Sequence, residues 1–321
     1  MSYSHAVLNM RQLQCFVEAL EAGTMTAAAE RLRVSQSAVS LAITGLEDAL
    51  GTQLLIRSRA YGLAPTDAGR RLLPQARELL TRADEIRDEV AAHGRELDGR
   101  LVFGCYGAAA PFVLPGLLET FKTLHPAIEM DLVEGGSSAD VQRALLEGRC
   151  ELALIYDRDL RPGIVCEPLY RTAPYAALAP DHPLAAAEEI WLRDLASHDL
   201  VMIDNPPSRS YFDVVFAHAG VSPRIRFVVS NYELLRSLVA RNLGYGLLTS
   251  RPAGDMSYEG RPIVARRLAD DLPYENVGLG WVTGARRSRR ARAFAEHCRR
   301  MVPDHLGRGV GTSLPTERVT S

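Results

Sequence analysis

The sequence lacks the features of membrane-spanning, secreted and zinc-binding proteins. No apolar run approaches the ~18 residues that a membrane span requires. The N-terminus has no basic start followed by an apolar core, so no signal peptide is expected. The five cysteines are scattered and form no CxxC pair, which gives no zinc motif and favours a reduced, cytoplasmic protein.

The sequence also lacks an excess of either charge. The 321 residues have a formal net charge of −2, and Lys122 is the only lysine among 37 basic residues. Bulk charge therefore gives no sign of nucleic-acid binding, which would have to come from how the arginines are arranged. The GxSxG, P-loop and HExxH motifs are missing as well, so neither catalysis nor a cofactor is expected.

The most informative stretch, TAAAERLRVSQSAVSLAI, begins at Thr26. Its first half has the spacing of a small Ala-rich helix, Arg33-Val34-Ser35 interrupts it, and a second helical pattern follows at once. Ser35 can cap the second helix, whose outward positions carry short, uncharged polar side chains instead of Glu and Lys. This is the helix-turn-helix pattern, in which the second helix enters the DNA major groove. A three-helix packing module without DNA binding is the alternative.

The side chains that would contact DNA lie on and around this second helix. Gln can pair with adenine edges, Ser and Thr hydroxyls can reach bases or phosphates, and Leu can touch a thymine methyl. The basic turn that begins at Arg57 would act as a wing along the phosphate backbone. The candidate DNA-binding residues are Thr26, Arg33, Ser35, Gln36, Ser37, Ser40, Leu41, Thr44, Arg57 and Arg59.

Residues 10–69 resemble the N-terminal domain of the LysR-type transcriptional regulators. The family's Ala-Ala-x-x-Leu, Ser-Gln-x-Ala-x-Ser, Leu-Glu-x-x-Leu-Gly and Thr-x-Ala-Gly elements stand at Ala28–Leu32, Ser35–Ser40, Leu46–Gly51 and Thr66–Gly69. Leu41 departs from the polar or basic residue that is frequent there, and Leu55 from the usual Phe. The resemblance implies a bacterial regulator that binds double-stranded promoter DNA through a winged helix-turn-helix domain.

After Gly94, strand and helix patterns alternate through two α/β units, which predicts parallel pairing. The last strand and helix can return to the first unit, so we expect two lobes joined by crossing strands. The resemblance implies that this part is an effector-binding domain like a periplasmic binding protein.

The expected fold class is therefore α/β with an N-terminal all-α winged helix-turn-helix, a long linker helix and a two-lobed, periplasmic-binding-protein-like α/β domain. The winged helix-turn-helix domain is assigned to residues 1–65, the linker and dimerisation helix to 66–95, the effector-binding domain to 96–302 and a flexible tail to 303–321. The first lobe is placed at about 98–170 and 272–302, and the second at about 171–271.

The resemblance places the effector between the lobes, where strand ends meet helix N-termini and favour small polar or anionic molecules. Ser137 is the strongest candidate because Gly135-Gly136 precede it and a predicted helix follows it. Ser137 and Ser138 as plain helix caps, and Gly246 as a packing residue, are the alternatives. The candidate effector-binding residues are Tyr106, Gly107, Ala108, Ala109, Ser137, Ser138, Asn205, Ser208, Ser230, Asn231 and Gly246.

Thr66 can cap a long helix in which Pro74 is expected to cause a kink or a weak turn. Its apolar residues repeat with heptad spacing, and they are Leu72, Ala76, Leu79, Ala83, Ile86 and Val90. Such a seam normally binds a partner helix, although a helix lying on the protein's own core is the alternative. The resemblance implies a homodimer or a homotetramer, with RNA polymerase as a further candidate partner and no membrane association.

A second functional class remains open on the sequence. A solute-binding protein or ligand-binding module without DNA function would account for the two lobes. It would not account for the helical patterns of residues 10–92 or for the missing signal peptide.

Overall fold

The fold is organised as two units in a computed structural model that describes residues 8–58, 62–91, 97–107 and 109–309. One unit comprises residues 1–95 with 147–149, and the other residues 96–146 with 150–321. The first unit has one hydrophobic core and the second has two, one for each of its sheets. Among the described residues, no helix has both the length and the apolar character needed to cross a bilayer.

The first unit is a helical domain with a small β-hairpin. Its elements are α1 (Met10–Ala22), α2 (Met25–Leu32), α3 (Gln36–Leu50), β1 (Leu55–Ser58), β2 (Gly62–Pro65) and α4 (Asp67–Ala91). Asn9 forms a capping box at the start of α1, and Thr24 caps α2 by accepting from the Ala27 amide at 3.1 Å. The apolar faces of the helices close the core around Phe16, Ile43 and Ala76, each 0% exposed.

The long helix α4 continues through Pro74 as one element. Proline removes one backbone hydrogen bond and is costly inside a helix. Packing compensates here, because Ala76 is fully buried and Leu72, Leu73 and Leu80 pack against the core of the same unit. Tertiary contacts therefore outweigh the local preference for a break.

The second unit contains two sheets and five α-helices among its described residues. Its elements are β3 (Gly99–Tyr106), α5 (Ala110–Leu124), β4 (Ile128–Gly135), α6 (Ser138–Leu146), β5 (Leu152–Tyr156), β6 (Ile164–Thr172), β7 (Tyr175–Leu178), β8 (Glu189–Ile190), β9 (Asp199–Ile203), α7 (Ser208–His218), β10 (Arg224–Val229), α8 (Tyr232–Ala240), β11 (Tyr245–Leu248), β12 (Val264–Leu268), β13 (Glu275–Val282) and α9 (Arg289–Gly309). A short 3₁₀ helix spans Leu192–Leu195.

The two sheets define two lobes. The strand order is β4-β3-β5-β13-β6 in the first lobe and β10-β9-β11-β7-β12-β8 in the second. The parallel pairing expected from the alternation is present where β3 meets β4 and β5, and where β9 meets β10 and β11. Strand β13 returns from the second lobe and pairs antiparallel with both β5 and β6, so β6 and β13 are the crossing strands.

The end of the second unit differs from the sequence prediction. A flexible tail was expected from residue 303, but α9 extends to Gly309. Its apolar face includes Phe294, Cys298 and Val302, each 0% exposed, so packing holds the helix up to the residue before Pro303. The prediction is therefore wrong for residues 303–309, and the remainder of the predicted tail lies outside the described residues.

Candidate DNA-binding and effector-binding sites

Helix α3 presents an uncharged face on one side and anchors the core with the other. Val39, Ile43 and Leu46 are fully buried. Leu41 is 75% exposed. Gln36, Ser37 and Thr44 are also exposed, so the predicted outward positions form one polar surface with a single apolar side chain.

The hydroxyl groups of Ser35 and Ser37 stabilise the start of α3. Ser35 Oγ accepts from the Ala38 amide at 3.2 Å and lies 2.9 Å from Ser37 Oγ. Arg33 is exposed and ends α2 in the left-handed conformation with a φ of 54°. This reversal positions Ser35 as a cap, so a part of the predicted DNA-binding set also builds the turn.

The base of the hairpin lies beside α3. Arg57 Nη1 donates to Ser40 Oγ at 3.2 Å, which brings a guanidinium to the edge of the uncharged face. Glu47 Oε1 accepts from the amides of Leu54 and Leu55 at 2.7 and 3.1 Å and fixes the hairpin to α3. Thr26 is exposed in the first turn of α2, and Arg59 lies outside the described residues.

The heptad positions of α4 divide into two groups. Ala76 is buried in the core of the unit, with Leu72 against it, as the alternative interpretation of this helix requires. Leu79 and Ile86 are 46% and 51% exposed. The side chain of Val90 lies outside the described part of the chain.

A cavity of about 300 Å³ lies between the two lobes, at the ends of strands from both sheets. The predicted residues Tyr106, Gly107, Asn205, Ser208, Ser230 and Asn231 line it. The other lining residues are Glu134, Gly135, Gly136, Tyr156, Ile203, Phe212, Tyr232, Leu248, Thr249 and Ser250. Hydroxyl and amide side chains dominate its polar surface.

Two predicted serines are absent from this lining. Ser137 Oγ donates to Asp140 Oδ2 at 2.7 Å and accepts from the Asp140 amide at 3.2 Å, which makes it the cap of α6. Ser138 is 3% exposed, and its Oγ accepts from Gln142 Nε2 at 3.1 Å. The expectation that the Ser137 hydroxyl points into the cleft is therefore corrected, because the carboxylate three residues later engages it.

Two other predicted residues also have packing roles. A Cβ on Gly246 would lie 2.6 Å from Leu235 Cδ2, so this glycine allows α8 to approach β11 closely. Ala109 is fully buried before α5. Ala108 lies outside the described residues.

Sequence reasoning missed several lining residues that stand at strand ends. Glu134 is the penultimate residue of β4, Tyr156 ends β5, and Thr249 and Ser250 follow β11. Ligands of open α/β sheets bind outside the carboxyl ends of the strands. That rule, applied to every strand and not only to polar turns, would have found them.

The Tyr106 hydroxyl is the least satisfied polar group of the cavity. The residue is 1% exposed, and its hydroxyl has no hydrogen-bond partner among the described residues. Burial raises the pKa of Tyr106 to about 12, although the nearby Ser208 hydroxyl lowers it in part. The Tyr106 hydroxyl is therefore neutral at physiological pH and can donate or accept one further hydrogen bond.

Comparison with known families decides the identity. Residues 10–70 match the model of the family described as "Bacterial regulatory helix-turn-helix protein, lysR family", and residues 94–303 match that of the "LysR substrate binding domain". The chain belongs to the LysR family of transcriptional regulators. Members of this family are DNA-binding transcriptional regulators with an effector-binding domain, and they are not enzymes.

Individual relatives extend over most of this LysR-family regulator. It is 30% identical to the uncharacterised HTH-type transcriptional regulator YvbU of Bacillus subtilis over 90% of its own length and 97% of that protein. A putative LysR family regulator of Pseudomonas aeruginosa, the PA01 protein, has 32% identity and a TM-score of 0.62, with 92% and 99% of the chains covered. Full-length CbnR in complex with its target DNA has 26% identity and a TM-score of 0.54, with 91% and 99% covered.

A larger groove of about 960 Å³ adjoins the cavity of the LysR-family regulator. It shares Gly107, Glu134, Asn231 and Tyr232 with the cavity. The rings of Phe112 and Tyr232 meet edge to face with centroids 5.7 Å apart. The groove therefore offers an aromatic surface next to the polar cavity.

The crossing strands carry a buried carboxyl group at the boundary of the first lobe. Glu275 pairs with Thr172 in the β6–β13 register and is 3% exposed. Burial raises the pKa of Glu275 to about 8, and Asp159 acts in the same direction, whereas the Arg158 guanidinium 3.7 Å away opposes the shift. The carboxyl group is therefore largely protonated at neutral pH.

Proposed function

We propose that this LysR-family regulator reads promoter DNA through the exposed face of α3 and senses a small polar effector in the cavity between its lobes. The observation that supports DNA reading is the uncharged face of α3 with the Arg57 guanidinium at its edge. The observation that supports sensing is the cavity lined by hydroxyl and amide groups, with the unpartnered Tyr106 hydroxyl in its wall.

The chemistry of α3 fits the major groove. Gln36 and Ser37 stand in its first turn, the part of a recognition helix that reaches base edges. No acidic side chain stands on this helix before Glu47, so phosphates are not repelled. The relative CbnR has been solved in complex with its target DNA, which supports DNA binding by this chain.

The DNA assignment is tested by Gln36→Ala against Thr52→Ala, an exposed polar position just beyond the other end of α3. Loss of a base contact costs about 1–3 kcal/mol on the specific site. We expect this loss for Gln36→Ala and none for Thr52→Ala in gel-shift titrations. Equal losses on matched and scrambled operators would contradict base reading by Gln36.

The sensing assignment is tested by Tyr106→Phe, which removes one hydroxyl and keeps the ring. Tyr245→Phe is the matched control, because its hydroxyl is also buried without a partner among the described residues but does not line the cavity. Removing an unsatisfied buried hydroxyl does not destabilise a fold. Both variants should therefore retain wild-type stability in thermal melts.

Only Tyr106→Phe should weaken the effector response. A ligand is first selected from polar metabolites by its shift of the melting temperature, and its effect on promoter binding is then titrated. Loss of one hydrogen bond corresponds to about 0.5–1.5 kcal/mol of affinity. Equal affinities for wild type and Tyr106→Phe would remove Tyr106 from the site.

We further propose that Leu79 and Ile86 on α4 contact a second copy of the chain, since both are exposed apolar side chains at heptad positions. The family resemblance also predicts a homotetramer formed through the lobes. A contact with RNA polymerase is a further prediction from the family. A cytoplasmic location follows if promoter DNA is the target.

A further inference from the structure

We propose that the effector is an organic cation, a primary amine with an aromatic or alkyl body, rather than an anion. This inference rests on the proposed sensing role of the cavity and specifies its ligand class. It reverses the anionic preference that the helix N-termini alone would predict.

Glu134 supplies the carboxylate that would bind the cation. It is the only acidic side chain among the described residues that line the cavity, which include no Lys, Arg or His. It stands where the cavity and the groove meet, because it lines both. Its side chain is exposed, so a ligand can reach the carboxylate.

The Glu134 carboxylate lies close to Gly107, shortly before α5 begins. Helix α5 begins at Ala110 without a side-chain cap, so its first amides favour negative charge. Gly107 precedes it, and a Cβ at that position would lie 3.0 Å from Glu134 Oε1. The glycine thus lets the carboxylate approach the turn that leads into the helix, and an anionic ligand there would meet a like charge.

The two arginines that line the groove already form hydrogen bonds and ion pairs within the protein. Arg236 is 2% exposed, contacts Glu233 at 3.0 Å and donates to the Met256 carbonyl at 2.8 Å. Arg251 binds Asp255 with contacts of 2.6 and 3.1 Å. Neither guanidinium offsets the charge of Glu134 for an incoming carboxylate.

The remaining surface suits an amine. An ammonium group donates three hydrogen bonds and needs acceptors. Glu134 and the neutral, unpartnered Tyr106 hydroxyl provide acceptors, while Phe112 and Tyr232 offer ring surface to the body of the ligand. Aromatic faces also attract cations.

The test uses three probes with one skeleton and different charges, which are 2-phenylethylamine, 2-phenylethanol and phenylacetate. Their affinities for the full-length protein are measured by isothermal titration calorimetry at pH 7.5. We expect the amine to bind about tenfold more tightly than the alcohol, and the carboxylate to bind most weakly. Tenfold lies between the small effect of an exposed ion pair and the larger effect of an enclosed one.

Glu134→Gln should remove the preference for the amine, whereas Glu129→Gln, an exposed position near the start of the same strand, should keep it. Equal affinity of the amine for wild type and Glu134→Gln would overturn the inference, and so would failure of all three probes to bind. If phenylacetate binds most tightly and Tyr106→Phe weakens it, the sensing role of the cavity stands and the cation assignment fails. If the amine binds but Tyr106→Phe leaves its affinity unchanged, the proposed site fails, because the binding then lies elsewhere.

Discussion

Replacing Glu275 with Gln should make the effector-binding unit more stable, and increasingly so as the pH rises. The pKa of this carboxyl group is raised from 4.5 to about 8, so the folded state favours the neutral acid. The stability that the neutral acid provides is complete below pH 4.5 and is lost as the pH rises from 4.5 to about 8. A glutamine side chain resembles the neutral acid in shape and has no proton to lose.

The size of the effect follows from the two pKa values. Each unit of difference is worth ~1.36 kcal/mol, so 3.5 units (8 minus 4.5) set an upper bound of ~5 kcal/mol well above pH 8. Between pH 5.5 and pH 8, linkage gives a change of about 3 kcal/mol in the free energy of unfolding of the wild type relative to Glu275→Gln. The pKa of about 8 already includes the effect of the Arg158 guanidinium, which lowers the pKa of Glu275 but is outweighed by burial.

Urea titrations at several pH values, followed by tryptophan fluorescence, measure this difference. Both tryptophans, Trp191 and Trp281, belong to the effector-binding unit and report its unfolding. Histidine titrations affect wild type and variant alike and cancel in the comparison. Glu119→Gln, an exposed position on α5, is the control and should show no pH-dependent difference. A wild-type minus variant difference that stays constant from pH 5.5 to 8 would refute the reasoning.

Three further outcomes are expected. Gly69→Ala should destabilise the DNA-binding unit by ~1–3 kcal/mol in thermal melts, because the new Cβ would lie 2.2 Å from the Leu54 carbonyl oxygen, and an unchanged melt would contradict this. Ser137→Ala should cost ~0.5–2 kcal/mol of stability with effector affinity unchanged, and a selective loss of affinity would restore its predicted sensing role. Leu79→Asp with Ile86→Asp should dissociate the assembly in light scattering, because charge would be buried in the seam, whereas an unchanged mass would exclude α4 from the interface.

The sequence by itself determined the family and the order of the elements. The family motifs from Ala28 to Gly69 are short. Each one depends on a local feature of the chain, such as a helix cap, a helical period or a glycine that ends a helix. Helical period also placed Gln36, Leu41 and Thr44 outside, because the buried residues Val39, Ile43 and Leu46 fix the opposite face. The resemblance to the LysR family pointed to Tyr106, Asn205 and Ser230 as cleft residues, and all three line the cavity.

The tertiary structure decided which polar side chains face the cavity and which form hydrogen bonds within the protein. Ser137 is turned to Asp140, while Glu134, on a strand that reads as a plain alternating pattern, lines the cavity. The raised pKa of Glu275 arises because β13 returns from the other lobe and buries it beside β6. Sequence periodicity sets the face on which a side chain stands. Its partners and its access to water depend on elements that are distant along the chain, and only packing brings those elements together.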